Sequence, residues 1–149
     1  MPIDPLTGLG DRADFDDALS AARAHQSVAI VLADIDGFTA FNERRGAKAA
    51  DRVLVGAAAA MSNVLRRSDT LYRTAGDEFA ALVHVYGAAD AFQTARRLRS
   101  AAAETGQITV SVAVAAPFEH ESDAALLGRT RRTLETVRAA GADGIELAR

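Results

Sequence analysis

The chain has 149 residues, 49% of them hydrophobic and only 5% aromatic, with 17 basic and 20 acidic side chains and a formal net charge of −3. This length supports one compact domain, with a core rich in small side chains. A charge balance so near neutrality gives no global field for nucleic acid or an anionic membrane surface, so any phosphate-bearing ligand has to be held locally.

Cysteine is absent, which excludes disulfides and thiolate metal sites and is compatible with a reducing cytoplasm. His25, His84 and His120 are scattered and make no zinc site. The longest apolar run, residues 28–33, is far too short to cross a bilayer, and the N-terminus lacks the basic-then-apolar order of a signal peptide. The expectation is a soluble, untargeted domain in the cytoplasm, with no membrane contact of its own.

Residues 6–12 contain Thr7, Gly8 and Gly10 and read as a turn-rich entry, after which Asp14 is placed to cap a helix reaching about residue 24. Residues 27–35 are apolar and β-branched, the pattern of a buried strand, and run out into Asp34-Ile35-Asp36-Gly37. A short helix over 38–45, closed by Gly46, precedes a long one over 48–65 with Val53, Leu54, Ala57, Ala58, Met61 and Leu65 on its inner face. Two apolar segments, 70–73 and 79–85, flank Thr74-Ala75-Gly76-Asp77 and predict a β-hairpin with its acids at the tip. A helix over 88–103, a strand over 107–115, a helix over 123–140 and a last strand over 144–147 complete the chain. Helices alternating with strands around a hairpin predict an α/β domain with a mixed sheet, a single unit over 1–149 with no internal repeat or linker.

Asp34 and Asp36 leave one strand while Asp77 and Glu78 cap a hairpin able to lie beside it, so carboxylates distant in sequence can converge at one sheet edge. Hard oxygen ligands of this kind suit Mg²⁺, which needs one or two protein carboxylates plus phosphate oxygens. A pair of solvated acidic turns would leave the same residue types in the sequence. Asp34-Ile35-Asp36-Gly37 also looks like the DxDGT nucleophile strand of haloacid-dehalogenase phosphatases. Phe38 stands in place of the threonine, however, and the only lysine is Lys48, which ranks that analogy and a response-regulator receiver low.

Asp4-Pro5-Leu6-Thr7-Gly8-Leu9-Gly10-Asp11-Arg12, Asp34-Ile35-Asp36, Asn42, Asp51 and Arg73-Thr74-Ala75-Gly76-Asp77-Glu78-Phe79, in that order, resemble the GGDEF family of diguanylate cyclases. Ser111-Val112-Ala113-Val114-Ala115 is similar to the family's SIGVA strand, so the resemblance spans essentially the whole chain. It implies a palm-like nucleotidyl cyclase fold and a reaction in which two GTP become cyclic di-GMP and pyrophosphate across a homodimer. It further implies that Asp34, the Ile35 carbonyl, Asp77 and Glu78 hold Mg²⁺ or Mn²⁺, with Asp34, Asp77 and Glu78 catalytic. Asn42 and Asp51 match the family's guanine readers; a carboxylate accepts from the N1 and N2 donors of guanine, a pair adenine lacks. Gly37 and Phe38 would offer N–H groups to the phosphates at a helix start. Ala75 and Gly76 would lie along the nucleotide, and Arg138 falls where the family has a phosphate-binding lysine. Arg66 and Asp69 form an RxxD arrangement, with Arg97 a further arginine, matching the family's inhibitory site for cyclic di-GMP. Arg73, Arg12 and Asp4 read as structural, pinning the entry turn by ion pairing.

The pattern departs from the family in several places. Ala75 replaces the first glycine of the signature, Thr39 stands where a lysine is usual, and Ala142 where an arginine is usual. Arg131 and Glu135 take the places of an Asp and a Tyr, and Arg131 or Arg132 offers another route to the triphosphate. The functions implied are therefore a diguanylate cyclase, expected as the C-terminal part of a longer signalling protein with an upstream sensory domain, or a degenerate domain that binds GTP or cyclic di-GMP without turnover. A weaker third option is an interaction domain regulating a partner.

Overall fold

A computed structural model describes residues 3–25, 27–84 and 88–149. The elements run α1 (Arg12–His25), β1 (Val28–Ile35), α2 (Phe38–Arg45), α3 (Ala47–Asn63), β2 (Thr70–Arg73), β3 (Glu78–His84), α4 (Ala88–Glu104), β4 (Val110–Ala115), α5 (Asp123–Ala139) and β5 (Ile145–Leu147). The strands form one mixed sheet in the order β2-β3-β1-β4-β5. Every pairing is antiparallel except β4 with β5.

All eight residues of the central strand β1 are buried, because it carries apolar side chains toward both faces. Ala29, Val31, Ala33 and Ile35 join Phe79, Ala81, Val83, Val110, Val112 and Val114 under α3 and α4. Val28, Ile30 and Leu32 join Ala80, Leu82 and Ala113 under α1 and α5, where Phe15, Leu19, Leu126 and Leu134 close the second core. Alanine recurs on α3 and α4, at Ala57, Ala58, Ala91, Ala95 and Ala102, and lets these helices approach the sheet without large side chains between them.

The predicted elements appear in the predicted order, with local differences. Asp11, not Asp14, caps α1: its Oδ1 accepts from the Asp14 N–H at 3.1 Å, since the capping residue is the last one before the helix and reaches the N3 donor. The strand expected from 107 begins only at Val110, because Gly106 (φ 78) turns the chain and the Thr109 hydroxyl donates to Asp36 Oδ2 at 2.7 Å. The helix expected to reach 65 ends at Asn63, and Leu65 packs from the following turn. Val85, placed in the hairpin's second strand, lies outside the described residues.

Gly10 shows why the entry turn is glycine-rich. It bridges both Ile3 and Tyr72, and a Cβ there would collide with the Asp14 carboxylate and stand 2.8 Å from Tyr72 Cδ2. Arg73 then ties this turn to the hairpin. Its Nη1 donates to both Asp4 oxygens at 3.1 and 3.2 Å, while Nε and Nη2 donate to the Gly76 carbonyl at 3.1 and 2.8 Å. Arg12 takes no part, pairing within its own helix with Asp16 at 3.8 Å.

Candidate active site

The register of β1 and β3 sets Asp34 directly opposite Glu78, with Ser111 of β4 on the other side. The Ile35 N–H donates to the Asp77 carbonyl at 3.0 Å, so residues 34, 35, 77 and 78 meet at one end of the sheet. Both side chains of the cross-strand pair are largely covered, Asp34 being 12% and Glu78 10% exposed. Like charges facing each other across strands repel. Burial, followed by the charges of Asp77 and Glu78, accordingly lifts the Asp34 carboxyl from 3.8 to about 7, even though Arg138 opposes the rise.

Two arginines on α5 answer this negative cluster. Arg138 Nη1 stands 3.1 Å from Asp34 Oδ2. Arg131 Nε and Nη2 stand 3.4 and 3.2 Å from the two oxygens of Glu78. Residues seven apart on a helix share a face two turns apart, which is how one helix addresses both acids. The Thr74 hydroxyl also donates to Glu78 Oε2 at 2.5 Å. The hairpin thus orients its own acid.

Past β1 the chain turns at Gly37, which has φ 65, and enters α2 with no side-chain cap. Among the described residues, chain neighbours aside, no atom lies within 4 Å of where a Cβ would stand at Gly37. Uncapped N–H groups and the helix dipole favour an anion at such a start. Asp36 has a different position from Asp34. Its oxygens accept from Ser111 Oγ at 2.6 Å, Thr109 Oγ1 at 2.7 Å and the Asp143 N–H at 3.0 Å. These bonds make Asp36 a pin between β1, β4 and the loop after α5.

Among the described residues no three acids or histidines form a ready-made cation site. The donor set nonetheless fits magnesium, which takes only one or two protein carboxylates when phosphate oxygens supply the rest. Burial first, and the charges of Asp77 and Glu78 after it, hold the Asp34 carboxyl up, and a dication bound there would draw it down.

Residues 1–143 match the family model described as "Diguanylate cyclase, GGDEF domain". The chain belongs to the GGDEF family. Its structure superposes on diguanylate cyclase SiaD of Pseudomonas aeruginosa, solved in complex with its activator SiaC, with a TM-score of 0.90 and 28% identity, covering 98% of this chain and 61% of that one. It also superposes on the GGDEF domain of DgcB from Caulobacter crescentus in complex with c-di-GMP, with a TM-score of 0.88, 24% identity and coverage of 99% and 95%, a likeness of fold. An uncharacterized membrane protein of Staphylococcus aureus strain USA300 is 34% identical over 102 residues, which is 65% of this chain and 29% of the relative. The chain thus spans under a third of the length of that curated relative. No helix among the described residues is long and apolar enough to cross a membrane.

Elsewhere on the GGDEF domain, Asn42 and Asp51 are exposed on α2 and α3, the helices that meet at Gly46. Asp69 is covered completely at its side chain, accepting from Arg66 Nε at 3.1 Å and from the His84 N–H at 3.0 Å. Arg66 also reaches the His84 carbonyl at 2.8 Å and Asp90 at 3.4 Å, with its side chain 41% exposed. Arg97 lies on α4, lining with Val64, Gln93, Arg96 and Glu104 a cavity of about 410 Å³. Sequence reasoning passed over Thr74 and the partner of Arg131. A hydroxyl four residues before Glu78, and an arginine seven before Arg138, were the available signals.

Proposed function

We propose that this GGDEF domain is a diguanylate cyclase, condensing two GTP into cyclic di-GMP with release of two pyrophosphates across a homodimer. The observation that carries this reading is the cross-strand pair Asp34 and Glu78, beside Asp77 and an uncapped helix start. Phosphoryl transfer needs positioning and charge stabilisation more than covalent chemistry from the protein, and this end of the sheet offers both.

Asp34, the Ile35 carbonyl, Asp77 and Glu78 would hold Mg²⁺ or Mn²⁺. A bound dication supplies neutralisation of the charge that develops on the phosphoryl oxygens. The N–H groups of Gly37 and Phe38 receive the phosphates, and Arg138 adds a cation beside Asp34. Asp51 accepts from the guanine edge and Asn42 reads its polar groups, while Ala75 and Gly76 run along the nucleotide. In each half of the dimer a hairpin acid takes the proton of the 3′-hydroxyl. That oxygen bonds to the α-phosphorus of the partner's GTP as the bond to pyrophosphate breaks. One domain alone binds substrate without turnover.

Arg66 and Arg97 would take cyclic di-GMP as an inhibitor, with planar guanidinium groups pairing with phosphate and stacking on guanine. The burial of Asp69 supports a part in aiming Arg66. The relatives' greater length supports an upstream sensory domain, with this domain acting in the cytoplasm.

A second reading, a module that binds GTP or cyclic di-GMP without catalysis, is favoured by Thr39 and Ala142 at places where the family supplies cations. Incubating concentrated protein with GTP and Mg²⁺ decides between them. Cyclic di-GMP that forms with the parent and vanishes in Asp77→Ala supports the cyclase. No product, together with calorimetric binding of either nucleotide, leaves the module.

A further inference from the structure

Arg131 stands at the acidic cluster with no part assigned to it in the proposed chemistry, and its guanidinium addresses both oxygens of Glu78. Glu78 does not need it for orientation, since the Thr74 hydroxyl already fixes Oε2 and the hairpin backbone fixes the residue. The Arg131 side chain is 36% exposed, so the protein does not seal it against Glu78. It shares its helix face with Arg138, whose guanidinium lies at the neighbouring acid. Each of the two acids thus has an arginine of α5 beside it.

Were Glu78 to turn its oxygens to a bound dication, the Arg131 fork would be released from its carboxylate partner and free to meet a phosphate oxygen of a nucleotide held beside it. We infer that Arg131 is a triphosphate-positioning residue, exchanging Glu78 for the phosphates of the bound nucleotide. This rests on the reading that the cleft takes GTP. The residue thereby takes over, from the body of α5, charge that Thr39 and Ala142 do not provide. A guanidinium is suited to the exchange because its fork fits carboxylate and phosphate alike.

The test is calorimetric titration with 3′-deoxy-GTP and Mg²⁺, a ligand that lacks the attacking hydroxyl and therefore cannot turn over. GMP titrated under the same conditions reports contacts that need only one phosphate. Arg131→Gln should weaken 3′-deoxy-GTP by about tenfold or more while changing GMP far less, the loss expected of one charge-assisted contact. Arg131→Lys, which keeps the charge without the fork, should fall between. Unchanged thermal unfolding of each variant separates this from loss of fold. Equal or tighter binding by Arg131→Gln overturns the proposal and makes Arg131 a plug that competes with the metal. No binding of 3′-deoxy-GTP by the parent chain overturns both the proposal and the GTP reading, whereas binding of 3′-deoxy-GTP with no cyclic di-GMP formed from GTP removes only the catalytic one.

Discussion

Replacing Arg129 by methionine tests how α5 is held over the acidic cluster. Arg129 is 7% exposed, and its guanidinium spans three partners that belong to different parts of the chain. It donates to Glu121 through Nε and Nη2 at 2.9 Å each, to the Ala148 carbonyl at 2.9 Å and to the Ala116 carbonyl at 2.8 Å. Its plane also lies 3.8 Å from the centre of the Phe118 ring. Methionine fills similar space but strands the Glu121 carboxylate and two carbonyls, a loss of about 3 kcal/mol by comparison with other broken buried pairs. Hydrogen bonding from Arg129, set against some desolvation, holds the Glu121 carboxyl down from 4.5 to about 2. A depressed carboxyl contributes stability above its unfolded value and loses it as pH falls toward the folded one. The gap between parent and variant should therefore narrow by about 1 kcal/mol between pH 7 and about pH 3.5. Urea unfolding of both proteins at the two pH values measures it. A gap below about 1 kcal/mol at neutral pH, or one that does not shrink in acid, refutes the assignment of Arg129 as the clasp.

Three further outcomes follow from the site. Asp34→Asn should stabilise the protein in EDTA by about 1–2 kcal/mol at pH 8 and by less near pH 5, because a carboxyl whose value is raised costs stability as pH climbs from about 4 to 7. Urea midpoints report it, and an equal effect at both pH values contradicts it. Ala142→Arg should tighten GTP about tenfold in calorimetry with little change in stability, since φ at 142 is 62 and both residues carry the same Cβ strain. Gly10→Ala should lower stability by about 1–3 kcal/mol through overlap with Asp14 and Tyr72, seen as a fall in the thermal midpoint.

Much of this was legible before any coordinates. The unbroken apolarity of residues 28–33 announced a buried strand, and the turn chemistry of Thr74-Ala75-Gly76-Asp77 announced the hairpin, because these signals are local. The convergence of Asp34 with Glu78 was inferable only as a possibility, since register is settled by pairing between strands distant in sequence. Asp36 looked equivalent to Asp34 from its spacing. Its partners Thr109, Ser111 and Asp143 are contributed by segments more than seventy residues away, so its pinning role had no local sign. Arg131 was visible as a charge out of place, but which oxygen it meets depends on how α5 lies across the sheet.

The opposition of Asp34 and Glu78 has an evolutionary corollary. Side chains alternate along a strand, so one residue inserted into or deleted from β1 or β3 would turn a carboxylate into the apolar layer beneath α3 and α4 and an apolar neighbour into the cleft. Length changes in these strands are thus barred twice, by the core and by the chemistry. Substitutions outside the strands meet no such double barrier: the side chains at Thr39 and Ala142 can change while every strand keeps its place. A lineage built on this sheet can alter what surrounds the acids one side chain at a time and keep its shape, and the same shape leaves each change open to reversal by a single codon.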